Sequence, residues 1–142
     1  MARVLHVSEV DVEGDVVAFL AGMLGGGVTV ATQVPRSDDF PERMVRVTRS
    51  GGVMRGVAHD RPIVLVECWA ASTTAARALA GTARAAMLRA NDVWGGTGWF
   101  SFHAELSGLT NLPDPLQPDR PRYQFAHQLQ VRAAVNPVEV DQ

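Results

Sequence analysis

The sequence is poor in residues on which several classes of protein depend. Cys68 is the only cysteine, which excludes a disulfide framework or a cysteine-based zinc site within one chain. Lysine is absent, so all 13 basic residues are arginines, and with 15 acidic residues the net charge is -2. Arginine used in this way is typical of a GC-rich coding genome. The near-neutral balance argues against a protein whose main task is to grip nucleic acid.

Long apolar runs are also missing. No stretch approaches the ~20 residues that a membrane helix needs, and the N-terminus lacks the basic-then-apolar order of a signal peptide. We therefore expect a soluble protein made in a cytoplasm, with no membrane partner. The length of 142 residues and the hydrophobic fraction of 46% suit one globular domain. We predict a single domain over residues 1–142, with its core at about 11–132 and a flexible tail at 133–142.

The stretch from 62 to 90 predicts a strand followed by a helix that covers it. Residues 63–70 (IVLVECWA) are rich in β-branched and aromatic side chains, as buried strands are. Hydroxyls at 72–74 can cap a helix, and residues 75–90 are rich in alanine. One face of this helix is apolar: Ala76, Leu79, Ala80, Ala83, Met87 and Ala90. Such a stripe of small residues lets a helix lie close on a sheet.

The remaining periodicities predict one more helix and four more strands. The helix is residues 11–24, with Asp11 as N-cap and a buried stripe of Val12, Val16, Phe19, Leu20 and Met23. The strands are residues 28–34, 43–49, 99–106 and 122–132. The strand at 99–106 should have an apolar face of Phe100, Phe102, Ala104 and Leu106. The prediction is an α+β domain, a mostly antiparallel sheet of about five strands flanked by two helices, in the order α-β-β-β-α-β-β.

Three connections between these elements are long. Residues 35–43 are polar and contain two prolines, and residues 51–60 are glycine-containing and weakly patterned, so both are predicted to be loops. Residues 107–121 hold four prolines and are predicted to be an extended, stiff arm. Protruding elements of this kind suit contacts between subunits. The candidate interface residues are Arg46, Arg49, Arg55, Asp38, Asp39, Leu109, Leu112 and Leu116.

The sequence contains no recognisable catalytic, dinucleotide-binding or metal-binding motif. The four histidines form no i, i+2 or i, i+4 metal pair, and there is no nucleophile elbow or dinucleotide fingerprint. Asp38 and Asp39 could bind a cation, but a solvated acidic loop is the default interpretation. Glu67 interrupts a buried strand and should pair with an arginine such as Arg46, while His127 lies on an apolar strand face. We assign Glu67 and His127 to a structural polar core and predict no catalytic residue, cofactor or metal.

Four stretches together carry a resemblance. They are the run at 16–20, Val34-Pro35 followed by residues 44–52, the strand at 64–70 leading into the alanine-rich helix, and residues 121–125 opening the last strand. In this order they resemble the tail terminator (tail completion, minor tail) proteins of long-tailed bacteriophages. The likeness spans roughly residues 11–132. Each motif is structural, and their order gives the match its weight.

The resemblance implies a non-enzymatic virion protein assembled in the host cytoplasm. Such proteins form a ring, commonly a hexamer, that caps the tail tube, stops its polymerisation and presents the surface to which the filled head joins. The implied partners are further copies of the chain, the tail tube protein and the head-tail connector protein, with DNA only passing through the ring. Two alternatives stay open: a head-tail connector or neck protein, and a small α+β enzyme or ligand-binding domain.

Overall fold

The computed structural model describes residues 2–141, apart from the side chain of residue 37. Its elements are β1 (Ala2–Val7), α1 (Val12–Leu24), β2 (Thr29–Ala31), β3 (Met44–Gly56), β4 (His59–Trp69), α2 (Thr73–Leu88), β5 (Val93–Trp94), β6 (Gly98–Asn111), β7 (Arg122–Ala133) and β8 (Val135–Val140). The predicted α+β class and both predicted helices are confirmed. Three strands, β1, β5 and β8, were not expected.

Six of the strands form one sheet in the order β2-β3-β4-β7-β6-β5. The pairing is antiparallel throughout except between β2 and β3, which run parallel. Both helices cover one face, where they bury the valines of β3 and β4 and the apolar side of β7. The opposite face carries no α-helix. Residues 32–43 fold over it near one end, where Glu67 and Trp69 are buried, and elsewhere its polar side chains are at least partly exposed.

Helix α2 forms for the reasons that its sequence indicates. The Ser72 hydroxyl accepts a hydrogen bond from the amide of Ala75 at 3.1 Å, which satisfies one of the free N–H groups of the first turn. All six residues of the predicted stripe are buried. Because alanine dominates that stripe, the helix backbone lies close on β4 and β7.

Helix α1 is fastened at its start by two aspartates. Asp11 caps it by accepting from the amide of Gly14, as expected. Asp15 is buried and accepts from the amides of Thr97 and Gly98 and from the Thr97 hydroxyl, so it ties the helix to the turn before β6. The predicted stripe was wrong at Met23, which lies in the last turn of α1 and is 54% exposed.

One predicted loop and one predicted strand differ in their bounds from the structure. Residues 51–60, predicted to be a loop, are almost entirely strand: β3 runs to Gly56 and β4 begins at His59, joined by a two-residue turn. The strand predicted at 28–34 is only Thr29–Ala31, because the chain after it turns away to cover the open face of the sheet.

The proline-rich arm is shorter than predicted. Its first residues, 107–111, belong to β6 and pair with β7, so the loop proper is 112–121. The predicted apolar face of this strand was also wrong in its second half. Register shifts after Phe102 and Glu105 move Ala104 to the open side and place Glu105 opposite His127, while Leu106 is 52% exposed.

The sheet has two unlike ends. At the loop end lie the loops 35–43 and 112–121, where β3 and β7 begin. At the ribbon end lie the β3–β4 turn and a separate two-stranded ribbon of β1 paired with β8. Within the predicted flexible tail at 133–142, β7 runs to Ala133 and β8 follows after one residue, while residue 142 lies outside the described residues.

Candidate assembly surfaces

A charged cluster lies on the helix-free face of the sheet, near the loop end. Glu67 is 2% exposed and accepts from Arg46 at 2.8 Å and, through its other oxygen, from Arg122 at 2.8 Å. The expected pairing with Arg46 is therefore present, with Arg122 as a second partner that the sequence did not reveal. A carboxylate that is bridged by two guanidinium groups has its hydrogen-bonding capacity used within the fold, which suits a structural role.

The same cluster holds a buried tryptophan in place. The guanidinium carbons of Arg46 and Arg122 each lie 5.7 Å from the centroid of the Trp69 ring. Phe40 packs edge-on against that ring at 5.6 Å, and Met44 completes a small apolar cluster. This second core exists because residues 32–43 fold over the open face. It fixes the loop end of the sheet.

His127 belongs to a different buried group, beneath α2. It is 0% exposed, and its Nε2 lies 2.9 Å from Glu105, which also pairs with Arg84 at 2.6 Å. Because a carboxylate only accepts, Nε2 is the nitrogen that carries the proton. The hydrogen bonds from Arg84 lower the pKa of Glu105 to about 2, and burial lowers the pKa of His127. Burial therefore favours the neutral form of the His127 ring.

The predicted interface arginines do not form one patch. Arg46 lies in the Glu67 cluster, whereas Arg49 is half-buried in an ion pair with Asp60 at 2.6 Å and donates to the carbonyls of residues 51 and 52. Arg55 alone of the three is exposed, beside the β3–β4 turn. Only Arg55 is thus available to a partner without breaking an existing pair.

The other predicted interface residues lie at the loop end. Asp38 and Asp39 are exposed in a short 3-10 turn, and Leu112 and Leu116 are exposed by 42% and 80%. Leu109, in contrast, packs against the main core. Arg120 joins the two loops, since it donates to the carbonyl of Glu42 and lies 5.8 Å from the Phe40 ring centroid.

The ribbon formed by β1 and β8 was not predicted from the sequence. Its apolar side chains occupy both of its faces, with Val4 and Val138 opposite each other on one and Leu5 and Pro137 on the other. All residues of β8 are exposed, and Leu5 is 73% exposed. Period-two alternation is weak in both segments, and their pairing partners lie at opposite ends of the chain, so no local signal predicted them.

Within residues 2–141, no cluster of histidine, cysteine, aspartate and glutamate is arranged to hold a metal ion, and neither α1 nor α2 has the length and apolar character of a membrane-spanning helix. No protein-family model matches the chain, and no curated protein matches it. Among solved structures, the chain is similar to one from the "Virion of native gene transfer agent (GTA) particle". The identity is 17% and the TM-score 0.47, over 81% of this chain and 85% of that one. Similarity at this level does not establish a family or a function.

The buried His127 group predicts how stability depends on pH. The unfolded chain protonates histidine near pH 6.5 and glutamate near pH 4.3. Because the pKa of His127 and that of Glu105 are both lower in the folded state, acid favours unfolding. We expect the denaturation midpoint to fall as the pH drops below about 6.5, and to fall further between about 4.3 and 2.

The variant His127→Gln isolates the first of these steps. It keeps a side chain able to donate to Glu105 but removes the titrating ring, so the loss of stability between pH 7 and 5 should shrink. The loss below pH 4.3 should remain. Urea denaturation at half-unit pH steps measures both. Equal slopes for the two proteins between pH 7 and 5 would show that His127 does not control this range.

Proposed function

We propose that this chain is a non-enzymatic structural component of a phage-like virion and that it acts as a tail terminator. Its copies join in a ring, a hexamer by the resemblance, which caps the tail tube, ends its polymerisation and presents the surface to which the head joins. The proposed partners are other copies of the chain, the tail tube protein and the head-tail connector protein. DNA passes through the ring without being gripped.

The observation that carries this proposal is the uncovered ribbon. A two-stranded ribbon is marginally stable alone in water. Here six residues on each strand form a ribbon about 20 Å long, at ~3.3 Å per residue, with apolar side chains on both faces. Exposed apolar surface and open strand edges are features that soluble proteins cover or use for pairing. A protein that works inside an assembly has a partner to cover them.

The two unlike ends of the sheet support a ring. When one end of a subunit contacts the opposite end of the next, the contact is heterologous, and it either closes into a ring or continues as a filament. Small contacts are weak, so the tube end would serve as the template on which the ring closes. We therefore expect monomers in dilute solution.

The test is to delete the gene and image the tails by electron microscopy. We expect overlong tails, or tails that are not joined to heads, and rescue by the wild-type gene. The loop can be shortened by removing residues 113–118, which leaves β6 and its pairing with β7 intact. That variant should not rescue, and neither should the ribbon variant Leu5→Gln with Val138→Gln.

Met23→Gln is the matched control for the ribbon variant. Met23 is also an exposed apolar side chain, but it lies at the end of α1 away from the ribbon, so this variant should rescue. Tails of normal length that are capped and joined to heads without the gene would refute the terminator role. Tails of normal length that merely fail to join heads would favour a connector or neck protein.

A further inference from the structure

An apolar groove lies between the base of the ribbon and the β3–β4 turn. Its volume is about 360 Å³, and its apolar lining comes from Val7, Val10, Met54, Val57, Val131 and Ala133. Val57 is 77% exposed and Met54 62% exposed, so much of this lining faces solvent in the single chain. The groove is open, apolar and formed by three separate parts of the chain, the ribbon, the turn and the end of β7.

The opposite end of the sheet presents an apolar side chain of matching character. Leu116 is 80% exposed, the highest value among the exposed large apolar side chains of the described residues. It lies in a turn that is already ordered, because the amide of Leu116 donates to the Asp114 carboxylate at 3.0 Å and that of Gln117 to the Asp114 carbonyl. Four prolines stiffen the loop further. An ordered loop loses little conformational entropy on docking.

The charges around the two sites are complementary. The loops at 35–43 and 112–121 together hold five acidic residues and three arginines. Residues 49–61 hold three arginines and one aspartate, and that aspartate, Asp60, is already paired with Arg49. Arg55 and Arg61 line a neighbouring cavity that shares His59, Asp60 and Val131 with the groove. Arg55 is exposed and Arg61 contacts the imidazole ring of His103 at 3.5 Å, so both can attract an acidic loop. Glu9 lies on the other wall of the groove and does not reverse the balance.

Leu116 cannot reach the groove of its own chain. The two sites lie at opposite ends of β4, whose eleven residues span about 35 Å at ~3.3 Å per residue. We propose that the groove receives the Leu116 loop of a second copy of this chain. This contact rests on the proposed function, because it is the head-to-tail contact from which the ring would be built.

Disulfide trapping tests the contact in the purified protein. Residues 57 and 116 are exposed, so cysteines there leave the core intact, and circular dichroism will check this. The native Cys68 is buried, and burial raises the pKa of its thiol, so it will not compete. The double variant Val57→Cys with Leu116→Cys should give a ladder of cross-linked oligomers on mild oxidation at high protein concentration.

Control variants test whether cross-linking depends on the proposed contact between the groove and the Leu116 loop. Mixing the single variants Val57→Cys and Leu116→Cys should give a dimer and nothing larger, while each alone should give almost none. Pairing Leu116→Cys with Met23→Cys, an exposed position outside the groove, should slow cross-linking roughly tenfold or more, because docking raises the effective concentration of the correct pair. Arg55→Glu should also slow it.

Three results would overturn the proposal: cross-linking no faster than with the Met23→Cys control, efficient dimers of the Val57→Cys single variant with itself, or efficient dimers of the Leu116→Cys single variant with itself. The latter two would indicate a two-fold interface. The outcomes also separate this contact from the proposed function. A specific ladder with normal tails after gene deletion would keep the contact and refute the terminator role. No ladder, with overlong tails after deletion, would keep the role and refute this contact.

Discussion

Leu79→Asp should leave the chain unfolded at room temperature. Leu79 lies on the buried face of α2, beside Ala80 and Ala83, and is 5% exposed. The substitution removes an apolar side chain and puts a carboxylate among the buried apolar side chains of the core. Each effect costs several kcal/mol, against a total stability of roughly 5–15 kcal/mol for a domain of this size.

The adjacent Ala78→Asp is the matched control. Ala78 is exposed on the same helix, so the same charge is added with nearly the same local propensity but stays in water. We expect a change of less than about 1 kcal/mol for this variant, most of it from the lower helix propensity of aspartate, and no cooperative melting transition for Leu79→Asp. A cooperative transition of Leu79→Asp within a few degrees of the wild type would mean that α2 does not hold the core together.

The features that sequence predicted well are those with strong local periodicity. The stripe of α2, its Ser72 cap and the face of β7 that carries Phe125 and His127 were all assigned correctly. In these segments the side chains that point inward and those that point outward differ in chemistry at every turn or every second residue. The local pattern and the packing then favour the same structure.

Residues 51–60 show why a local pattern fails where pairing is distant. Two glycines at its start suggested a loop, but they form an irregularity in β3, with Gly52 at φ 89°. A Cβ at Gly52 would collide with the carbonyl oxygen of Arg61, so glycine is needed there to keep the hairpin together. Pairing with β4, and of β4 with β7, makes the segment a strand.

The ribbon and the partners of Asp15 could not be predicted from local sequence either, because in both cases the contacting residues are far apart in the chain. β1 pairs with β8 across nearly the whole chain, and Asp15 meets Thr97 over a separation of 82 residues. Asp15 was the one signal that could have been read, because it is an acidic residue next to Val16 on the buried stripe of α1. Its buried position implies partners, as it did for Glu67, but their identity depends on the tertiary fold.

Glu67→Gln should lower the free energy of unfolding by about 2–3 kcal/mol, less than the roughly 3–5 kcal/mol measured when fully buried pairs are broken. The substitution keeps the shape but removes the charge, so Arg46 and Arg122 are left close together without an anion between them. The estimate is reduced because the Arg46 side chain is 31% exposed and water can solvate it in part. Glu42→Gln, at an exposed position, is the control and should change stability by less than about 0.5 kcal/mol.

A double-mutant cycle distinguishes the ion pairs from simple packing. Arg46→Met alone leaves Glu67 with Arg122, so it should cost less than Glu67→Gln, and the two changes together should cost less than their sum because they remove the same interaction. Urea denaturation gives each value. Strict additivity would mean that Arg46 and Glu67 are not coupled. A hydrolase or transferase activity that is present in the wild type and lost in Glu67→Gln would overturn the non-enzymatic proposal, since the carboxylate would then be acting on a substrate rather than holding Arg46, Arg122 and the Trp69 ring in place.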